Sequence, residues 1–500
     1  MNQIKGGALL SYISIFGNIL VAIFYTPFFI RTMGTEGYGI YNLAISFLGI
    51  ISILDLSFGN TIAKYISHNK IFGNRTTESN LLGNIMWMYF YLTIITFIIG
   101  IIIYFNLDKL FYSSLSKKEF SDLKIMIVLL LIYTLISFYP GMFNGILQAY
   151  EYFIITKGIL LMRVILPALV STPFLLLGFG GITVIIITLT IHVLGLIVGM
   201  ILCFKKTKVR INFRKNWRLK SLYKNKELNK YLIIMLLSIA VEQITLNTGQ
   251  IILGITSGTV AVAIYVIAIQ FTKIYQQFAT SIYNITFPML NRLVNNKSSN
   301  LVILSEVIKI SRTQLIVLLL IFSGFFVFGK EFVVIWAGNN FEPAYYMTII
   351  LMFSITFQLC QLPAVSILQA KSLQKFRLIL LILNLLLSII ISFVVSYYYK
   401  GIGVTIVISL FSYIAYTIIM NFYYHNKLKL DMKIFWKEMF KIYLPNIILM
   451  IIFKYIYEKF NYYDIKFLFL FIIIYSVLYA IICWMFILNK EEKYYLFKRN

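Results

Sequence analysis

The stretch FIRTMGTEGYGIYNLAISF, which runs from Phe29 to Phe47, places an arginine and a glycine-rich turn between two long apolar runs. A helix needs about 20 mainly apolar residues to cross the hydrocarbon core of a bilayer, and the runs on both sides of this turn are of that length. Glycine allows the backbone to reverse in conformations that other residues avoid. The stretch therefore predicts two membrane-spanning helices joined by a turn at the outer surface, with Arg31 at the outer end of the first.

The composition indicates that the rest of the chain follows the same pattern. Of its 500 residues, 60% are hydrophobic and 12% are charged, and the mean hydropathy is +0.87. Ordinary soluble domains are about one quarter charged. The three cysteines, Cys203, Cys360 and Cys483, fall in or beside apolar runs without paired spacing, which favours packing over a disulfide or a metal site. We therefore predict an all-α polytopic membrane protein.

Charged residues, glycine and proline divide the chain into about fourteen predicted transmembrane helices. These spans lie near residues 8–30, 40–66, 81–105, 124–147, 153–177, 181–204, 231–255, 259–288, 313–336, 346–370, 376–399, 402–424, 440–457 and 466–488. With this arrangement, the loops on the side of the N-terminus hold 32 lysines and arginines, Arg312 included, and the opposite loops hold 10. Because cytoplasmic loops carry the excess of Lys and Arg, we expect both termini in the cytoplasm. The net charge of +26 is thus a topology signal and predicts no nucleic-acid partner.

One basic segment divides the chain near its middle. The segment FKKTKVRINFRKNWRLKSLYKNKELNK carries eleven cations, which favours a cytoplasmic linker lying against anionic lipid. A regulatory or partner-binding role is the alternative. The predicted domains are an N-terminal six-helix lobe at 1–204, the basic linker at 205–230, a second six-helix lobe at 231–425, and two additional transmembrane helices at 426–500.

The two predicted lobes resemble each other in sequence. TVAVAIYVIAIQF, from Thr259 to Phe271, matches the stretch beginning at Thr35 at six of thirteen positions, with an offset of 224 residues. The tetrapeptide ILQA begins at Ile146 and again at Ile367, at nearly the same offset. Because this offset equals six spans, equivalent helices point the same way, and we predict a parallel repeat about an axis along the membrane normal. Transporters built from such repeats bind their substrate between the two halves and expose it alternately to each side.

Ionisable side chains inside membrane spans are costly, so each is a candidate for a functional role. Six candidates occur in this sequence: Arg31, Asp55, Arg163, His192, Glu242 and Lys273. Lys273 is the strongest candidate for a functional role, because it lies far from both ends of its span and near the amides of Gln270, Gln276 and Gln277.

Each of the other candidates also has a structural interpretation. Arg31 can extend to the lipid headgroups, and Arg163 can pair with Asp55 or Glu242. Glu242 lies near amide side chains, which is typical either of a wetted helix face or of a site for a coupling ion. His192 is interpreted as a hydrogen-bonded core residue in preference to a proton relay.

Three stretches of the sequence resemble a known family. RTMGTEGYGIYNLA, LDLSFGNTIAKYIS and NTGQIILGITSGTVAVAIYVIA are similar to segments of the Wzx-type oligosaccharide flippases, or polysaccharide transporters. That family belongs to the multidrug/oligosaccharidyl-lipid/polysaccharide exporter (MOP) superfamily, together with the multidrug and toxin extrusion antiporters and the lipid II flippases. Where its members commonly have glycine after Asp-Leu in the second span, this chain has Ser57.

The resemblance implies a flippase of a bacterial cell (inner) membrane that works by alternating access. Its cargo would be a polyprenyl-pyrophosphate-linked oligosaccharide for O-antigen, capsule or a similar surface polysaccharide. Arg31, Arg163 and Lys273 are the implied substrate-binding cations, and Asp55 and Glu242 are the ion-coupling or structural charges. The resemblance implies no cofactor, with coupling to a proton gradient, a sodium gradient or the membrane potential left open. Implied partners are the lipid-linked oligosaccharide, membrane lipids and other polysaccharide assembly proteins.

Two other classes of function are alternatives to the flippase. An organic-cation or drug antiporter of the same superfamily predicts an acidic lumen, whereas the intramembrane charges comprise three cations and two anions. A membrane enzyme of polysaccharide assembly needs an external loop with a catalytic cluster. The longest outer loop, near 106–123, holds no histidine, and the sequence shows no nucleophile triad, metal-spaced cluster or phosphate-binding glycine loop. We therefore expect that the protein is not an enzyme.

Overall fold

A computed structural model describes residues 3–51, 66, 75–212, 226–459, 465–489 and 492–493. The chain forms two compact units, Met1–Ala263 and Ile264–Asn500. Helices form every regular element of the described part, which contains no strand. This confirms the predicted all-α polytopic fold. Asp55 and most of the basic linker lie outside the described residues.

The first unit is built from eight helices in the described residues, and a ninth crosses into the second unit. They are α1 Gln3–Leu20, α2 Thr26–Ile51, α3 Arg75–Phe111, α4 Lys117–Ser137, α5 Tyr139–Ala149, α6 Phe153–Leu176, α7 Gly181–Thr207, α8 Lys226–Thr256 and α9 Gly258–Asn295. A π-helical segment, Val21–Tyr25, joins α1 to α2 without interrupting the helix.

The second unit continues with six further α-helices of nine residues or more in its described part. They are α10 Asn300–Ala337, α11 Glu342–Leu359, α12 Leu362–Ala370, α13 Lys375–Tyr413, α14 Met432–Lys459 and α15 Ile465–Ile482. Two π-helical segments, Ile414–Ile419 and Tyr424–Leu428, extend α13, and a third, Cys483–Ile487, extends α15.

The described helices coincide with the predicted spans. Ten are long and apolar enough to cross a membrane, and α11 with α12, bent by 43°, forms an eleventh candidate. A described helix covers each of the fourteen predicted positions, although the second is covered only in its first part, 40–51. Two of the three missing spans arise because two of the long helices contain a chain reversal, and the third is the span predicted at 231–255, since α8 is not among the candidates.

The first reversal is at Gly34, inside α2. Gly34 has φ 73° and ψ 171°, which lies outside the helical region. The ring centroids of Phe29 and Tyr41 are 4.9 Å apart, whereas twelve residues of straight helix would separate them by about 18 Å. The chain therefore folds back at Gly34, and the hairpin predicted from the sequence is confirmed.

The second reversal is at Lys400, inside α13, where φ is 46°. A Cβ placed on Gly403 would lie 2.7 Å from Cγ1 of Val395, although eight residues of straight helix span about 12 Å. Gly403 thus permits a close backbone approach that a side chain would prevent. The reversal separates the spans predicted at 376–399 and 402–424.

Hydrogen bonds between segments distant in sequence show which helix ends lie side by side in the first unit. The backbone N–H of Ile154 donates to Oε1 of Gln3 at 3.2 Å, and the N–H of Asn212 donates to the carbonyl of Ser79 at 3.2 Å. The start of α1 therefore lies beside the start of α6, and the first turns of α3 lie beside the segment after α7. In each pair the two partners are separated by four predicted spans. This agrees with the alternation used to count the loop cations.

A buried arginine on α10 makes hydrogen bonds and ion pairs with α14 and with the segment that follows α15. Arg312 is 3% exposed, and its Nε and Nη2 donate to the carboxylate of Glu492 at 2.8 and 3.0 Å. Nη2 also donates to the carbonyl of Ile487 at 2.7 Å, and Nη1 lies 3.6 Å from Glu438 on α14. The sequence counts Arg312 as a loop cation, but α10 begins at Asn300 and carries Arg312 into this contact.

Candidate functional site

A polar stripe runs along one side of α9. We define the stripe by five residues at intervals of three or four: Gln270, Lys273, Gln277, Ser281 and Asn284. At 100° per residue these positions fall within an arc of about 80°. Four of them are exposed and Gln270 is half-buried. The stripe is therefore an accessible polar face on a helix that is otherwise largely apolar.

The opposite face of α9 is packed into the second unit. Ala268, Thr272, Tyr275 and Ala279 are all buried on that side. The hydroxyl of Tyr275 is 2.6 Å from that of Thr356 on α11, and either can donate. This packing fixes the rotation of α9 and leaves the stripe on the accessible side.

Lys273 carries the only formal charge of the stripe. Among the residues that the structure describes, its ammonium has neither an ion-pair nor a hydrogen-bond partner. The sequence of α9 contains no aspartate or glutamate. A lysine ammonium flanked by amides and a hydroxyl can bind phosphate as a point charge and can exchange hydrogen bonds with sugar hydroxyls.

Arg163 belongs to a polar cluster in the first unit. Its Nη2 donates to the carbonyl of His192 on α7 at 3.3 Å. Nδ1 of His192 is in turn 3.1 Å from the hydroxyl of Tyr133 on α4, with ring centroids 5.7 Å apart. We call these three half-buried residues the Arg163 cluster. The hydrogen bond to Tyr133 agrees with the interpretation of His192 as a hydrogen-bonded core residue.

A glycine makes room for the guanidinium of Arg163. A Cβ placed on Gly195 would lie 2.8 Å from Nε of Arg163, whereas one on Gly199 would meet no atom closer than Cδ1 of Ile159 at 3.4 Å. Arg163 therefore lies against the bare backbone of α7 at Gly195. Its side chain is held in place by both packing and hydrogen bonding.

Two other predicted residues lie in the first unit. Arg31 is exposed, three residues before the reversal at Gly34. Glu242 is half-buried on α8. Its neighbour Asn247 is 8% exposed and lies where a Cβ on Gly49 would be 2.8 Å from its amide, so Asn247 packs between α8 and α2. Asn247 is thus a packing residue and not part of a wetted face.

Sequence reasoning missed several members of these groups. Tyr133 is 59 residues from His192, and no local pattern connects them. Ser281 and Asn284 were not singled out, although their spacing from Lys273 and Gln277 could have identified them as one helix face. No group of three or more His, Cys, Asp or Glu residues that could hold a metal ion occurs among the described residues.

Solved structures with the same fold include transporters of lipids and drugs. The lipid II flippase MurJ, in an inward closed conformation, matches with 16% identity over 95% of this chain and 97% of its own, with a TM-score of 0.68. The MATE multidrug transporter DinF-BH in complex with R6G matches with 16% identity over 85% and 96%, with a TM-score of 0.59. An inward-facing multidrug resistance MATE family transporter of the MOP superfamily matches with 14% identity over 81% and 96%, with a TM-score of 0.57.

At these identities the likeness establishes the fold alone. A search of the curated proteins found no match. The family comparison also establishes the family, because the family described as "Polysaccharide biosynthesis protein" matches residues 4–294, more than half of the chain. The chain therefore belongs to the polysaccharide biosynthesis protein family, and its multi-pass helical fold is similar to those of the lipid II flippase and the MATE transporters.

Proposed function

We propose that this protein is a flippase that carries a polyprenyl-pyrophosphate-linked oligosaccharide across the bacterial inner membrane by alternating access. The observation that carries the proposal is the polar stripe of α9, in which the accessible Lys273 lies between Gln270 and Gln277. Membership of a polysaccharide biosynthesis family and a fold similar to that of a lipid II flippase support the choice of cargo.

The stripe meets the physical requirement of such a cargo. A hydrated glycan head cannot cross hydrocarbon unaided, because each polar group would lose its hydrogen bonds to water. A polar face on a membrane helix is stable against a wet pathway and costly against lipid. The amides and hydroxyl of the stripe supply hydrogen bonds to sugars, and Lys273 supplies the charge that attracts pyrophosphate.

The remaining candidate charges complete the proposal. Arg31 and Arg163 join Lys273 as substrate-binding cations, with Arg31 acting at the outer end of its span. Asp55 and Glu242 act as coupling or structural charges for an ion gradient or the membrane potential. The excess of Lys and Arg in the loops supports a cytoplasmic location for both termini.

An antiporter of organic cations is the competing function, since MATE transporters share the fold. A cationic cargo needs carboxylates or a purely aromatic surface where it binds. The stripe instead presents a cation, and α9 has no carboxylate along its length. The charge of α9 thus favours an anionic cargo.

The test is polysaccharide export in cells whose only copy of the gene encodes Lys273→Gln. Losing one charge-assisted contact to pyrophosphate costs about 2 kcal/mol, which lowers export about 30-fold. Lipid-linked oligosaccharide should accumulate in the inner leaflet, and immunoblots should show normal amounts of protein in the membrane. The matched control is Lys330→Gln, which removes a partly exposed lysine paired with Glu342 at 3.0 Å and should export normally.

Two results would contradict the proposal. Normal export by Lys273→Gln would remove the stripe from the cargo pathway. Unchanged surface polysaccharide in the deletion strain, together with loss of organic-cation efflux, would identify the protein as an antiporter.

A further inference from the structure

A groove lined by aromatic rings opens on the surface of the second unit, between the extension of α13 and α14. It encloses about 510 Å³. The ring of Phe357 on α11 forms its floor, with ring centroids 5.1 Å from Tyr413, 5.8 Å from Trp436 and 5.7 Å from Tyr443. We call this feature the α13–α14 groove. Its floor is an aromatic surface, and the groove shares no residue with the stripe or with the Arg163 cluster.

The mouth of the groove is apolar and accessible. Ile418, Phe422 and Phe440 line it and are 45%, 66% and 58% exposed. On the surface of a membrane-spanning helix, such side chains face the acyl chains of the bilayer. The groove is therefore open to lipid along its side.

One wall of the groove is a line of polar side chains. Tyr413, Thr417, Asn421 and His425 follow at intervals of four residues. In an α-helix this interval overshoots a turn of 3.6 residues, but the π-helical segments Ile414–Ile419 and Tyr424–Leu428 hold more residues per turn. The π turns thus keep all four side chains on the side of the groove.

Two atoms of this wall lack hydrogen-bond partners among the described residues. Oγ1 of Thr417 and Oδ1 of Asn421 are both buried and unsatisfied, while Nδ2 of Asn421 donates to the carbonyl of Thr417. Buried polar atoms in native proteins are nearly always hydrogen-bonded. The wall is therefore suited to a ligand that brings polar atoms to this depth.

The end of the groove is basic. His425 and Lys433 line it, and Lys427, Lys429 and Lys437 are exposed around it. This end contains the connection between α13 and α14, which the distribution of Lys and Arg predicts to be cytoplasmic. A clustered positive charge at a membrane surface attracts anionic headgroups.

The nearby carboxylates are already engaged. Oδ1 of Asp431 accepts hydrogen bonds from the backbone N–H groups of Lys433 and Ile434 at the start of α14. Glu438 is 3.6 Å from Arg312 and also pairs with Lys441. Neither carboxylate lines the groove. The groove is therefore better matched to an anionic lipid than to a zwitterionic one.

The length of the groove corresponds to one leaflet. His425 and Tyr413 are twelve residues apart, which is at most about 18 Å, since the π turns between them rise less per residue than an α-helix. Half of the hydrocarbon core is about 15 Å thick. We propose that the α13–α14 groove binds one anionic phospholipid of the leaflet at its basic end. The phosphate contacts His425 and Lys433, the glycerol esters reach Asn421 and Thr417, and an acyl chain lies on the aromatic floor.

Trp436 provides a direct readout of this site. The full chain is reconstituted in phosphatidylcholine with a small fraction of either brominated phosphatidylglycerol or brominated phosphatidylcholine, and tryptophan fluorescence is recorded. Bromine quenches tryptophan at short range, so the difference between the original chain and Trp436→Phe isolates the signal at the groove. We expect brominated phosphatidylglycerol to quench Trp436 at a several-fold lower mole fraction than brominated phosphatidylcholine.

The variant Lys433→Gln tests the basic end. Each cation near an anionic membrane surface contributes about a fivefold preference, so Lys433→Gln should lower the preference for phosphatidylglycerol about fivefold, and His425→Gln should also lower it. Lys459→Gln, at the other end of α14, is the matched control and should leave the preference unchanged. Because Lys433 is exposed, Lys433→Gln should melt at the same temperature as the original chain. Nδ1 of His425 is 3.2 Å from the carbonyl of Leu430, so His425→Gln is compared with the original chain only at temperatures where both are folded.

Three results would overturn the proposal. Equal quenching by the two brominated lipids would mean that only the general lipid annulus contacts Trp436. A preference that survives both Lys433→Gln and His425→Gln would place the anionic lipid elsewhere. Displacement of phosphatidylglycerol by an equimolar amount of polyprenyl phosphate would identify the carrier lipid as the occupant.

Discussion

Arg312 and Lys273 are both cations on long helices of the second unit, but their surroundings are opposite. Arg312 is buried and contacts Glu492, Glu438 and the carbonyl of Ile487. Lys273 is exposed and has no such partner among the described residues. A cation whose N–H groups are hydrogen-bonded to other protein groups stabilises the fold. A cation whose N–H groups remain accessible can bind a ligand. The Arg163 cluster lies between these extremes.

The largest expected effect on stability is that of Arg312→Leu. Removing the guanidinium takes from Glu492 its ion-pair partner and leaves Glu438 with Lys441 alone. Breaking a buried ion pair from one side costs about 3–5 kcal/mol. The free energy of unfolding, measured in detergent, should fall by that amount. Arg292→Leu, which removes an exposed arginine near the end of α9, is the control.

A double variant sharpens this first prediction. Replacing both charges of a buried pair by apolar residues is much less costly than replacing one. Arg312→Leu combined with Glu492→Leu should therefore recover part of the lost stability. If the double variant were less stable than Arg312→Leu alone, the ion pair would not be the source of the effect.

Gly195→Ala should have the next largest effect, because its Cβ would lie 2.8 Å from Nε of Arg163. Overpacking of this kind costs about 1–3 kcal/mol, and the guanidinium must move away from His192. We expect a lower melting temperature and reduced export. Gly199→Ala is the matched control on the same helix, where the nearest atom is 3.4 Å away. Equal effects of the two variants would contradict the interpretation that Gly195 makes room for the guanidinium of Arg163.

Tyr133→Phe should have a smaller effect. It removes the hydroxyl that lies 3.1 Å from Nδ1 of His192, and a hydrogen bond of this kind contributes about 1 kcal/mol. The melting temperature of the purified protein should fall slightly, while Tyr112→Phe, at a residue that is 88% exposed, should leave it unchanged. A neutral result for Tyr133→Phe would mean that His192 is held by its other contacts.

Lys273→Gln should have the smallest effect on stability, within about 0.5 kcal/mol, because an exposed side chain without a partner contributes little. Thermal unfolding in detergent measures this directly. An unchanged stability together with the expected 30-fold loss of export would show that Lys273 binds the cargo, whereas Arg312 stabilises the folded protein. A loss of stability comparable to that of Arg312→Leu would remove this distinction.

Much of the fold was predictable because its signals are local. Apolar runs set the positions of the spans, and the glycine-rich turn at Gly34 predicted the reversal that the rings of Phe29 and Tyr41 confirm. Part of the stripe was also predictable, since an intramembrane lysine among glutamines stands out in any apolar helix. The other members of the stripe, Ser281 and Asn284, could have been identified by applying the helical period of 3.6 residues to the sequence of α9.

The partners of the charges were not predictable from the sequence. Arg312 was counted in a loop, and its partner Glu492 is 180 residues away. The α13–α14 groove depends on π-helical turns that no composition signal marks, and on Phe357 from a third helix. Such contacts are set by the rotation and approach of helices distant along the chain.

The sequence by itself determined that this chain crosses a membrane many times, where most of its spans lie and which ionisable residues are candidates for a place inside them. The reason is that the bilayer imposes a length and an apolar composition on every span, whatever its neighbours are. Only the tertiary structure decided which of those charges are neutralised and which remain accessible. That distinction depends on side-chain packing between helices, as in the burial of Tyr275 on the face of α9 opposite to Lys273.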